Sequence, residues 1–89
     1  MTEREDMIRE RLTAAFAPEA LEIEDESHLH AGHAGARDGR GHFRVLIVAS
    51  AFSGLSRVQR HRLIYDALRP LMESDIHALA LQIYGPDEI

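Results

Sequence analysis

His42-Phe43-Arg44-Val45-Leu46-Ile47-Val48-Ala49-Ser50 reads as the strand around which the chain is built. It is β-branched and aromatic, and apolar on both faces near its end, which suits a buried pleated surface. Upstream, Leu21-Glu22-Ile23-Glu24-Asp25-Glu26 begins by alternating apolar and acidic residues, and this predicts a half-buried strand with one wet face. Two strands joined by one loop predict an antiparallel hairpin with a long connection. Loops of that length are uncommon inside compact domains and tend to be functional.

Downstream, Ser53-Gly54 breaks the strand, and Ser56 with Gln59 has the spacing of a capping box. Val58, His61, Ile64, Tyr65, Leu68, Leu71 and Met72 then lie on one helical stripe. Pro70 falls inside it and predicts a helix ending near Leu68, followed by a short second helix over 69–74. His77–Tyr84 reads as a third strand, stopped by Gly85-Pro86. At the other end, Thr2 with Glu5 repeats the capping-box spacing. Met7, Ile8, Leu12, Ala15 and Phe16 follow at helical intervals up to Pro18, so a helix is expected over 2–17.

The resulting order, α-β-β-α-α-β, predicts an α+β fold: a three-stranded mixed sheet with helices packed on one face. The last strand arrives through a helical crossover, so one pairing should be parallel. This is the KH-like layout of some nucleic-acid-binding modules, which carry a GXXG loop. Gly54-Leu55-Ser56-Arg57 lacks the second glycine.

Composition narrows the function. With 89 residues, the chain is expected to form one domain over 1–89. No apolar run approaches the ~20 residues of a membrane span, so no membrane partner is expected. The acidic, polar start Met1-Thr-Glu-Arg-Glu-Asp6 matches neither a signal nor a transit peptide, which makes a cytoplasmic location the expectation. Without cysteine, the chain can build neither a disulfide nor a sulfur-ligated metal site alone. A net charge of −5 weighs against a general nucleic-acid binder. Ser53 and Ser56 read as turn and cap residues, and no acid pair is forced together, so no enzyme is expected.

Histidine is the unusual component. The segment from His28 to His42, HLHAGHAGARDGRGH, holds His28, His30, His33 and His42. A Gly-rich loop lets neutral imidazoles reach an ion, whereas the plain alternative is a solvated polar loop. His77, at a strand start, reads locally as a histidine satisfied by backbone. His61, on the apolar stripe, reads as a hydrogen-bonded core histidine. Arg57, Arg60 and Arg62 could meet phosphates, or could form a solvated helix face offset by nearby acids.

Taken together, these residues resemble the BolA family over nearly the whole chain. The resemblance rests on Leu21–Ser27, His42-Phe43-Arg44-Val45, Phe52–Arg62 with Tyr65, and His77-Ala78-Leu79-Ala80-Leu81. It implies the same KH-like fold and an adaptor that partners a monothiol glutaredoxin. The pair shares a [2Fe-2S] cluster, in iron–sulfur trafficking or iron sensing. It implies His77 as one ligand and a histidine of the 28–42 loop as the second. His30 is closest by position, His33 and His28 stay open because the insertion at 31–41 blurs the register, and His42 ranks behind them. A [2Fe-2S] centre needs four ligands, and two His can replace two Cys on one iron. A cysteine-free chain can therefore supply only the nitrogen side. Sulfur must come from the partner and glutathione, and no cluster is expected in the isolated chain, whether monomer or weak dimer. The resemblance also implies an alternative, a DNA-binding transcriptional regulator acting through Arg57, Arg60 and Arg62.

Overall fold

In the computed structural model, which describes residues 3–26 and 41–89, the chain folds around β2 (Gly41–Val48). β1 (Ala20–Asp25) pairs antiparallel on one side of it and β3 (Ile76–Tyr84) parallel on the other, giving the order β1-β2-β3. The helices are α1 (Glu3–Phe16), α2 (Arg57–Ala67) and α3 (Arg69–Ser74), with single 3₁₀ turns at Ser50–Phe52 and Pro86–Glu88. The expected α+β fold with a mixed sheet is therefore the observed one. Thr2, the expected cap of α1, lies outside the described residues.

Register decides which side chains meet the helices. Leu21 and Ile23 face Ile47 and Val45, while Leu79, Leu81 and Ile83 face Phe43, Val45 and Ile47. This one face packs on Ile8 and Leu12 of α1, Ile64 of α2, Leu68 and Leu71 in a single core. The opposite face carries Glu24, Arg44 and Ala80 in one exposed row. The alternation read in β1 thus sorts its residues as expected.

Two expectations need correction. The strand over 42–50 stops at Val48, because the chain turns inward instead of running on. Ala49 donates its N–H to the Tyr84 carbonyl at 3.0 Å, and the 3₁₀ turn swings Phe52 into the core. There the Phe52 ring lies 4.9 Å from that of Phe16, centroid to centroid. The stripe over Val58–Met72 is also only partly buried. At 3.6 residues per turn, Val58 and Tyr65 stand roughly 100–120° around the helix from Ile64. Ile64 and Leu68 meet the sheet, whereas Val58 is 58% and Tyr65 39% exposed. The break at Pro70 falls where expected, with Leu68 serving as C-cap of α2 and N-cap of α3.

Both edges of the sheet are partly covered by an arginine from a helix. Arg9 donates from Nη1 to the Leu21 carbonyl at 3.4 Å, and Arg60 from Nη1 to the Ile83 carbonyl at 3.0 Å. Each arginine occupies one outward carbonyl and so blunts its edge at that one position.

Candidate functional site

The parallel pairing of β2 and β3 puts the first residues of both strands at one end of the sheet. There the ladder is irregular: Gly41 pairs with Ile76, but His42 pairs with Ala78. One step on β2 is met by two on β3, so His77 is the extra residue. An extra residue breaks the two-residue alternation and re-aims its side chain. Ile76 is thereby sunk into the core, and His77 is turned out to solvent.

The His77 ring lies beside that of His42, with centroids 5.1 Å apart and planes tilted by 52°. His42 is 8% exposed, so the pair joins one buried and one open imidazole. The chain on either side of residues 27–40 is anchored at this same end. Glu26 donates its N–H to the His42 carbonyl at 2.8 Å, and Gly41 its N–H to the Asp75 carbonyl at 2.8 Å. His28, His30 and His33 lie between these anchors, outside the described residues. Among the described residues, no three or more His, Asp or Glu gather in a metal-binding group.

Charged neighbours frame the pair. Arg44 and Glu26 form an ion pair at 3.2 Å. The Ser74 hydroxyl, donating at 2.6 Å, and then Arg4 at 3.2 Å hold the Asp75 carboxyl below the ordinary carboxylate range. His42, ranked behind the other loop histidines in the sequence, is the one the structure places beside His77. The usable signal was the parallel crossover itself, since it sets the beginnings of the two strands side by side.

The second group of expected residues lies on α2. Ser56 and Gln59 complete the capping box, Gln59 N–H donating to Ser56 Oγ at 3.1 Å and Ser56 N–H to Gln59 Oε1 at 2.9 Å. This starts the helix at Arg57 and aims the following side chains. Arg57 and Arg62 are exposed and make no ion pair among the described residues. Arg60 is placed differently. It donates to both oxygens of Glu88 at 2.7 and 2.9 Å, and also to the Leu55 carbonyl at 3.1 Å. Only 12% of its side chain is exposed. Its guanidinium is spent inside the molecule, tying α2 to the end of β3. His61 is not a core histidine either, being partly exposed beside Arg57 and Tyr65. No helix among the described residues is long and apolar enough to cross a membrane.

Comparison with known proteins places this architecture. The family model described as BolA-like protein matches residues 12–88. An uncharacterized Sinorhizobium protein is 49% identical over 93% of this chain and 91% of its own length. SufE-like protein 1 of Arabidopsis thaliana is 47% identical over 92% of this chain, which corresponds to 24% of that protein. The solved structure of its BolA domain superposes with a TM-score of 0.89 at 43% identity, covering 100% of this chain and 99% of the domain. The DNA-binding transcriptional regulator BolA of Haemophilus influenzae is 38% identical over 94% of this chain and 79% of its own length. This chain spans less than two thirds of several relatives, including 58% of the mouse BolA-like protein 1. Matched by the family model over most of its length and by relatives across most of theirs, the chain belongs to the BolA-like protein family.

Proposed function

We propose that this protein is an adaptor that shares a [2Fe-2S] cluster with a monothiol glutaredoxin, contributing histidine ligands. The observation that carries the reading is His77, held open to solvent by the β3 irregularity with its ring centre 5.1 Å from that of His42. The two rings are close neighbours, which makes His42, although buried, a residue to test beside His77. The anchors of the segment bearing His28, His30 and His33 lie at the same end, which keeps those residues as candidates for the second ligand. The chain's own task is to present imidazole nitrogen at this end of the sheet. Sulfur ligands for such a cluster would have to come from the glutaredoxin and glutathione, since this chain has no cysteine.

The test is reconstitution of the protein with a monothiol glutaredoxin and glutathione, followed by visible absorption and circular dichroism. Wild type should give a spectrum distinct from glutaredoxin alone, and His77→Ala should lose it while keeping its far-ultraviolet signature. Single replacements of His28, His30, His33 and His42 by Ala then identify the second ligand. A wild-type spectrum indistinguishable from glutaredoxin alone removes the proposal.

Direct DNA binding is the second reading, favoured by the exposed Arg57 and Arg62 and by the relative named as a DNA-binding regulator. Arg60 contributes little to it because Glu88 already holds both arms of its guanidinium. A gel-shift assay should show binding that weakens steeply with salt and is lost in the Arg57→Ala/Arg62→Ala double variant. Absence of any shift at low salt rejects this reading.

A further inference from the structure

We propose that the groove between α2 and the outer edge of β3 accepts an extended acidic segment of a protein partner, added to the sheet as a fourth strand. The proposal does not draw on the histidines, although Leu79 lies two residues beyond His77 on β3.

The argument begins with backbone direction. Tyr84 turns its carbonyl toward the β2 side, where it accepts from Ala49 N–H at 3.0 Å. Alternate residues of a paired strand turn their backbone groups the opposite way. Ile83 does so, and its outward carbonyl is the one taken by Arg60. By the same alternation, Leu79 and Leu81 present their N–H and C=O groups outward. These are the groups that an added strand would pair with.

Beside that edge lies an open groove of about 610 Å³. Leu81 and Ala80 form one wall, and Leu55, Arg57 and His61 the other. A strand lying there would turn alternate side chains toward the apolar wall and the others toward charge. The charge is positive: Arg57 lines the groove, and Arg62 stands on the next turn of α2. Both lack an ion pair among the described residues, in a chain of net charge −5. Between them, Val58 at 58% and Tyr65 at 39% exposure extend the apolar surface.

Other occupants fit less well. Pairing β3 with β3 of a second copy would bring each copy's Arg57 toward the cationic groove of the other. A phosphodiester backbone has no N–H to match the outward carbonyls, and Arg60, the innermost cation of the groove, is consumed by Glu88. An acidic, apolar-alternating peptide satisfies the edge, the apolar wall and the arginines together.

The experiment titrates ¹⁵N-labelled full chain with a Glu-Val repeat peptide at low salt, using a Lys-Val repeat and oligothymidylate as comparators. The Glu-Val peptide should shift the amide signals of Leu79, Leu81 and 57–62 and slow hydrogen exchange at Leu79 and Leu81. Arg57→Glu should weaken binding about tenfold, the effect of reversing one rim charge. Leu81→Pro removes an outward N–H at an edge position where proline is tolerated, together with a side chain packed against the core, and should abolish the exchange protection at Leu79. Arg57→Glu alone carries the test if Leu81→Pro fails to fold. The proposal is overturned if the Lys-Val peptide binds equally well, or if Leu79 and Leu81 gain no protection. It is also overturned if oligothymidylate produces the pattern in place of the peptide, or if the chain dimerises through β3 before any peptide binds.

Discussion

Gly85 shows how a single missing carbon lets the end of the chain close on the body. A Cβ built there would lie 2.5 Å from Ser53 Oγ and 3.1 Å from Ser53 Cα. The hydroxyl can rotate away, but the backbone cannot. Gly85→Ala is therefore expected to destabilise the fold by about 1–3 kcal/mol, the usual cost of overpacking, as read from the urea midpoint. Adding Ser53→Ala should recover only the part due to the hydroxyl; full recovery would mean that the backbone approach does not matter. From sequence, Gly85-Pro86 was legible as a strand stop, but the close approach to Ser53 was not, because it joins residues 32 positions apart in the chain. His77 illustrates the same limit. As a strand-start residue it is bland, and its exposure comes from being the extra residue between the Gly41–Ile76 and His42–Ala78 pairs, which local sequence does not encode.

Elements with their own punctuation were the legible ones. α2 begins where Ser56 and Gln59 close their capping box, and α3 begins at the Leu68 hinge ahead of Pro70. Each signal acts on backbone groups within a few residues, so spacing alone reveals it. What α2 buries was less legible, since an apolar stripe says that a face exists but not how far the sheet extends beneath it. Val58 and Tyr65 fall on the uncovered shoulder. Arg60 was misjudged for a similar reason: an arginine in a basic run looks solvated until the 3₁₀ turn over Pro86–Glu88 supplies its carboxylate. At this scale, Ser56→Ala should cost about 1 kcal/mol by leaving the Gln59 N–H without its acceptor. Ser56→Asp, which can still accept that bond, should retain most of the stability. Equal losses in the two variants, measured by thermal melting, would show that the cap bond is not what matters.

Across the whole molecule, two ion pairs fasten the helices to the ends of β3. Arg4 of α1 holds Asp75 just before the strand, and Arg60 of α2 holds Glu88 just after it. Both carboxyls are held below their ordinary range, Asp75 first by the Ser74 hydroxyl and then by Arg4, and Glu88 first by Arg60 and then by the Gly85 amide. A carboxyl whose folded pKa is depressed binds fewer protons in the native state than in the unfolded one. Its stabilising effect is complete above the unfolded value of about 4 and is lost as pH falls through the folded value. The urea midpoint should therefore decline from about pH 5 downward. Glu88→Gln should lower the midpoint at neutral pH while flattening that decline, because the variant has no carboxyl left to protonate there. Asp75→Asn should flatten the remainder, and the two effects should add, since the pairs lie at opposite ends of β3 and share no partner. A decline equally steep in the double variant would assign acid sensitivity to other groups and leave the two clamps as geometry without linkage.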